Sequence, residues 1–380
     1  MQRQLSTILL CLLLLPFGST AATLKEKIGQ MVMVGFKGAE ISPNDPIAKA
    51  ILIDEIGGVI LFDYDFQTKT FDHNIKSPAQ LKTLTQTLQA YAKKAALIHH
   101  HAFTPLLIGI DYEGGSVNRL KEKYGFPKTE SAGTLGQGSL EDAKHDAEQM
   151  AKTLSSEGIN LNFAPVLDVN INPDNPVIGK LNRSFSNDPK KVTQYAAIFS
   201  KAYQDHGILC AYKHFPGHGS SLDDTHAGFV DVTKTWQSKE LDPYQKLLQK
   251  SYHCPIVMTA HVVNNALDKK EYPASISYAM TQKLLRDKLN FKEVVVTDDM
   301  QMKAITDHYG FEDAIRLAIN AGADILVFGN QLKTPPDDPG KIIEIIYQDV
   351  LTGKISKNRI ENAYQHIMKL KQRIKKNEYS

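Results

Sequence analysis

Cysteine is scarce in this chain of 380 residues: Cys11, Cys210 and Cys254 are the only three, and no two form a CxxC pair. That excludes a zinc centre of the thiolate kind and a disulfide-dense small scaffold. An excess of one charge sign is lacking too, since 44 Lys and Arg face 42 Asp and Glu, a formal balance of +2. A surface so evenly balanced offers no footprint for nucleic acid. No repeat, low-complexity tract or Gly/Ser/Pro-rich linker interrupts the chain, so one large domain is the expectation. Long apolar runs are missing with one exception, Leu5 to Leu15, which is too short to span a bilayer comfortably.

That run belongs to a recognisable layout. Arg3 precedes it, Pro16 and Gly18 follow, and Ser19-Thr20-Ala21-Ala22 supplies the small residues of a cleavage site. This reads as a secretory signal peptide over residues 1–22. Cys11 lies inside the apolar run without the neighbours that lipid attachment needs. The expectation is an exported protein, periplasmic or secreted, comprising residues 23–380, with no stable membrane insertion after cleavage. A retained N-terminal anchor is the alternative. Losing Arg3 moves the balance to +1. Cys210 and Cys254 start neighbouring predicted strands; a disulfide is conceivable, but two buried free thiols are expected.

Eight short apolar segments recur, each followed by a helix-length amphipathic stretch. They are Met31 to Phe36, Gly57 to Phe62, Pro105 to Asp111, Asn160 to Asp168, Ile208 to His214, Pro255 to His261, Glu293 to Asp298 and Ala323 to Gly329. Such alternation means parallel strands covered by helices. Ser77-Pro78 and Asp188-Pro189 pair a capping oxygen with proline at the first helical position, and Ser139, Ser238 and Ser277 can cap three more helices. Gly322 ends a helix that starts near Phe311. A final helix from Ser356 to Lys376 puts Ile360, Ala363, Tyr364, Ile367 and Leu370 on one face, suited to packing on the exterior. The fold class is α/β, a single-domain (β/α)8 barrel of the TIM type with a C-terminal exterior helix; an open doubly wound sheet is the alternative.

Polar residues fall where the strands end. Asp111 and Glu113 close the third, Asp168 the fourth, Lys213 and His214 the fifth, His261 the sixth, and Asp298 with Asp299 the seventh. In a barrel these converge on the C-terminal mouth, where this architecture carries its chemistry. The densest stretch is Lys213-His214-Phe215-Pro216-Gly217-His218-Gly219, followed by Asp224-Thr225-His226. From Phe215 to about Trp236 no helical or strand period appears, and an ordered loop of that length is usually functional.

In their order along the chain, Gly57 to Phe62, Asp111-Tyr112-Glu113-Gly114-Gly115, Asn162 to Val169, Arg183-Ser184-Phe185, Lys213 to Gly219, Asp224-Thr225-His226 and Thr297-Asp298-Asp299-Met300 resemble glycoside hydrolase family 3. More narrowly, the chain is similar to the family's single-domain β-N-acetylhexosaminidases. The resemblance covers about Leu24 to Gly329. It implies an exo-acting, retaining hydrolysis of terminal β-linked N-acetylglucosamine, in peptidoglycan fragments or chitooligosaccharides, through a covalent glycosyl-enzyme. Asp298 matches the nucleophile, His226 with Asp224 the acid/base dyad, and Asp111, Arg119, Arg183, Lys213 and His214 the contacts to the terminal sugar. Asp299 is expected to be a structural acceptor. His218 is expected to bond the loop backbone, and Asp168 to tie the mouth together. His261 is open between lining the pocket and orienting a neighbour.

Ser116 departs from the family's arginine after Gly-Gly, and Glu293 from its glycine before the seventh strand. No cofactor and no metal are expected, the partner is a carbohydrate, and the protein is expected to be a monomer. Alternatives remain: a family 3 phosphorylase, a metal-dependent hydrolase on the same barrel, a sugar-binding protein without turnover, and a family 3 β-glucosidase. The triplet His99-His100-His101 and the spread of His214, His218, His226 and Asp224 would favour the metal reading, but the triplet falls at the barrel floor and reads as a solvated helix end, and Lys213 beside His214 fits a cation site poorly.

Overall fold

A computed structural model describes residues 22–374 except 72, 333 and 334. The expected leader, apart from Ala22, lies outside the described residues. Strands β1 (Val32–Gly35), β2 (Gly58–Leu61), β3 (Leu107–Ile110), β4 (Leu161–Asn162), β5 (Leu209–Phe215), β6 (Ile256–Thr259), β7 (Val294–Asp299) and β8 (Ile325–Phe328) form one closed, all-parallel barrel. Each pairs with its sequence neighbours, and β8 returns to β1 with Val32 opposite Leu326. Valine, isoleucine and leucine dominate because both faces are covered, one by the barrel interior and one by helices. No described helix is long and apolar enough to cross a membrane.

Strand four is shorter than its apolar run suggests. The ladder holds only Leu161 and Asn162, and contact resumes at a single bridge between Val166 and Lys213. Pro165 interrupts it, having no N–H to donate. Asparagine side chains take over part of the pairing: Asn160 exchanges bonds with Ile108 N and Leu106 O, and Asn162 with Tyr112 N and Tyr112 O, all within 3.0 Å.

The helix starts follow the predicted caps. Ser77 accepts from Gln80 N, Asp188 from Lys190 N, Ser139 from Asp142 N and Ser277 from Met280 N. Ser238 does not cap. It lies inside a 3-10 turn, Ser238–Leu241, because Gln237 and Glu240 form the capping box one residue earlier. The last helix, Lys357–Lys371, buries Ile360, Ala363, Ile367 and Leu370. Its Arg359 and His366, together with Arg286, converge on the buried carboxylate of Asp324 at the start of β8, fastening this helix to the floor.

Cys210 and Cys254 form a disulfide, so the expectation of two free thiols is corrected. Cys210 lies on β5 and Cys254 two residues before β6. Adjacent strands bring their Cα atoms to 4.9 Å, inside the range a bridge can close.

Candidate active site

The mouth is assembled from the ends of β3, β5, β6 and β7 and the loops after β4 and β5. At the β3 end the chain folds into a small hairpin, Tyr112–Gly114 against Val117–Asn118, which turns Glu113 inward and leaves Ser116 exposed at the tip. Arg183 grips Glu113 with two bonds, Nε to Oε2 at 2.8 Å and one terminal nitrogen to Oε1 at 2.7 Å. Lys213 Nζ lies 2.6 Å from the same Oε1 and 2.8 Å from Asp111 Oδ1. Two acids and two cations thus form one closed network, which a buried charge requires. Burial alone would raise the Glu113 carboxyl; the charges of Arg183 and Lys213 overturn this and hold it at about 2. Burial would likewise lower Lys213, but Asp111 and Glu113 hold it above its ordinary value.

Arg119 is less committed. Its guanidinium stands 3.6 Å from Asp111 Oδ2 and 3.8 Å from Asp63 Oδ1, beyond hydrogen-bond reach, and its buried Nε has no partner among the described residues. A buried donor without a partner is suited to a ligand hydroxyl. Asp111 Oδ2 offers the matching acceptor.

Asp168 organises the loop after β5. Its Oδ2 meets His214 Nδ1 at 2.6 Å, while Oδ1 accepts the backbone N–H of His218 at 2.8 Å and of His214 at 3.2 Å. A carboxylate cannot donate, so His214 carries its hydrogen on Nδ1 and turns Nε2 toward Arg183, 3.4 Å away. The His218 ring bonds the hydroxyls of Ser221 and Thr225 rather than the loop backbone, which corrects the expectation for it. Burial pushes His218 down to about 4, leaving it neutral and structural. Two glycines allow this turn. Gly217 has φ +120°, and a Cβ on Gly219 would stand 1.8 Å from the Val169 carbonyl oxygen.

Asp298 and Asp299 part company at the β7 end. Asp299 accepts backbone hydrogens from Gln301 and Gly329, and burial pushes it up to about 6. Its two amide bonds commit it to holding the loop. Among the described residues Asp298 accepts only the Asp299 N–H. Burial would raise it, but His261, His214 and His226 together hold it below the ordinary carboxylate range. His261 spans Ser275 Oγ at 2.7 Å and the Asp299 carbonyl at 2.9 Å. It therefore orients the β7 terminus, which resolves the ambiguity left by its position.

His226 reaches the same space from the loop. Its Nδ1 lies 2.8 Å from Asp224 Oδ1, which also accepts the His226 backbone N–H at 2.8 Å. This two-point grip fixes the hydrogen on Nδ1 and leaves Nε2 without a partner among the described residues, with more than half of the side chain exposed. Desolvation lowers the imidazole, but the bond to Asp224 and the charge of Asp298 outweigh it and raise the pKa. The loop is not wholly irregular: Val230–Asp231 pairs in parallel with Val262–Val263, and Thr225 O accepts from Ala304 N beyond β7.

The site thus holds one ionised carboxylate with little to occupy it, an imidazole paired with an acid, and one unfilled donor, Arg119 Nε. The model of the glycosyl hydrolase family 3 N-terminal domain matches residues 23–370. The chain belongs to glycosyl hydrolase family 3. It is 31% identical to a beta-hexosaminidase A of Pseudoalteromonas piscicida, over 93% of this chain and 61% of that protein. A beta-hexosaminidase of Idiomarina loihiensis is 32% identical, over 79% of this chain and 83% of its own. The structure of a family 3 beta-N-acetylglucosaminidase from Paenibacillus sp. str. FPU-7 superposes with a TM-score of 0.82 at 35% identity, covering 93% of this chain and 63% of that one. The chain therefore spans less than two thirds of the Pseudoalteromonas and Paenibacillus proteins.

All eight residues marked from sequence lie on this family 3 mouth or its loop. Sequence reasoning missed Glu113 as the common partner of Arg183 and Lys213, although its place two residues after Asp111 in an extended segment signals a shared face. It also missed Glu240 and Trp236. Glu240 accepts Gly219 N at 3.1 Å and Trp236 Nε1 donates to Pro216 O at 3.1 Å, so both brace the loop from outside. No local pattern announces either.

Proposed function

We propose that this chain is an exo-acting, retaining β-N-acetylhexosaminidase that removes terminal β-linked N-acetylglucosamine in two covalent steps. The observation that carries this reading is the pairing of Asp298, ionised and barely engaged, with His226, an imidazole already held by Asp224 and raised in part by the Asp298 charge. In the first step Asp298 attacks the anomeric carbon while His226 Nε2 protonates the departing oxygen. In the second, neutral His226 takes a proton from water as water displaces Asp298, so the β configuration is kept. Asp111, Arg119, Arg183, Lys213 and His214 hold the terminal sugar. The leader-like layout of residues 1–22 supports export to the periplasm or beyond. Peptidoglycan fragments and chitooligosaccharides are the substrate classes, acted on by a monomer.

A panel of β-linked nitrophenyl sugars tests the specificity: substrates bearing the 2-acetamido group turn over, and glucosides do not. Equal turnover of both would refute it. A sugar 1-phosphate formed in phosphate buffer would move the assignment to a phosphorylase.

The dyad makes its own prediction. His226 must be protonated for the first step, so kcat/KM falls as pH rises through its pKa, which lies above the ordinary 6.5. Asp224→Asn removes the largest influence raising it, so the alkaline limb moves to lower pH. His226→Ala slows the reaction about 10²- to 10⁴-fold. An alkaline limb unmoved in Asp224→Asn would exclude His226 as the acid.

A further inference from the structure

At the end of the barrel opposite Asp298, three elements bring a second set of polar side chains together. Helix Leu24–Gly29 supplies Glu26, the turn before β2 supplies Glu55, and the C-terminal end of helix Pro78–Ile98 supplies His99. One oxygen of each acid and one ring nitrogen of His99 all lie within 4.8 Å of one another. His101 touches the same carboxylate from outside that trio: its Nε2 meets Glu55 Oε1, while His99 Nδ1 stands 3.7 Å from Glu55 Oε2. The helix end read from sequence as solvated is therefore engaged. Glu55 is buried, and the side chains of His99 and His101 are each about one quarter exposed.

The far side of each ring decides what these groups can do. His99 Nε2 lies 2.9 Å from the Leu52 carbonyl, and His101 Nδ1 lies 2.9 Å from the Ala102 carbonyl. A carbonyl only accepts, so those nitrogens carry hydrogens; His99 then turns the lone pair of Nδ1 toward Glu55, while His101 Nε2 donates to the Glu55 carboxylate and must give up that proton to take an ion. The two rings lie nearly parallel, 16° apart, with centroids 6.2 Å apart, so His99 Nδ1 and His101 Nε2 face the one Glu55 carboxylate together. Backbone carbonyls that set the tautomer of two histidines are the usual outer support of metal-bound imidazole. A proton on His101 would satisfy its contact with Glu55 alone. It would leave His99 Nδ1 facing two carboxylates with no cation between them.

We propose that His99, His101, Glu55 and Glu26 bind a divalent transition ion of the zinc class at the barrel floor. Imidazole nitrogen with carboxylate oxygen suits zinc, nickel or copper and does not suit magnesium or calcium, which take oxygen alone. The ion would join the N-terminal helix, the turn before β2 and the end of helix Pro78–Ile98. It acts in cohesion and takes no part in the reaction at the mouth.

The test uses the full chain, stripped with a chelator and titrated with zinc. Wild type is expected to bind zinc at this site and to unfold at a higher temperature with zinc, but not with magnesium. His99→Ala, which keeps the Glu55–His101 contact, weakens this binding at least about tenfold, and His99→Ala/His101→Ala abolishes it. Both variants keep wild-type turnover of a nitrophenyl N-acetylglucosaminide, which shows that they fold. Anomalous diffraction at the zinc edge is expected to place a peak between Glu55 and the two histidines. No zinc binding, or a peak confined to the mouth near His226 and Asp298, overturns the proposal.

Discussion

Replacing Asp298 with Asn is expected to lower kcat/KM on an acetamido substrate by about 10⁴-fold or more, the scale on which removal of a covalent nucleophile is felt. The thermal midpoint should barely move. Among the described residues Asp298 accepts one backbone hydrogen and pairs with no cation at contact distance, so the neutral amide takes little from the fold. Its neighbour behaves in the opposite way. Asp299 holds two loop amides, at Gln301 and Gly329, so Asp299→Ala should cost stability first and activity as a consequence. A fluorinated N-acetylglucosamine that traps the intermediate should leave its mass on the peptide containing Asp298. An adduct on Asp299 would reverse the assignment. No protein adduct at all, with activity intact, would point to attack by the substrate's own acetamido oxygen.

Truncating Glu113 to alanine should destabilise the protein by about 3–5 kcal/mol, the range for stripping a partner from a buried ion network. Two cations would remain in a site that is 10% exposed at Arg183 and 2% at Lys213, with Asp111 as the acid left in contact with Lys213. The acid side supplies a second reading. Glu113 is held at about 2, below its ordinary 4.5. A depressed carboxyl contributes stability that is present above its unfolded value and lost as pH falls through the folded one. Wild type should therefore lose stability between about pH 4.5 and pH 2, and Glu113→Gln should lose correspondingly less. Urea unfolding at neutral and acid pH measures both. A Glu113→Ala variant within about 0.5 kcal/mol of wild type would mean that the network carries no net stability.

These two residues mark different kinds of legibility. Asp298 could be read from the chain because a valine-rich strand ends in Thr297-Asp298, and strand ends in a barrel face the mouth. Which of the two adjacent aspartates is free could not be settled that way, since the answer lies in two amides arriving from Gln301 and Gly329, the second of them thirty residues away. Glu113 was visible beside Asp111, yet its cations come from positions 183 and 213, brought together only when β3 and β5 take their places in the ring. The bridge between Cys210 and Cys254 belongs with these: the pairing follows from the proximity of two strand starts, and spacing along the chain is silent on it. A histidine run at a helix end has no local reason to be other than solvated, and the engagement of His99 and His101 depends on Glu55 from another turn.

The sequence by itself determined the eight-fold strand and helix alternation, the helix starts marked by serine or aspartate with proline, and the gathering of ionisable residues at strand ends. These are matters of period, backbone restriction and local hydrogen bonding, all written within a few residues. The tertiary structure decided which carboxylates are spent on structure and which stay free. Charge, tautomer and pKa depend on distances across the barrel, and those exist only once the ring has closed.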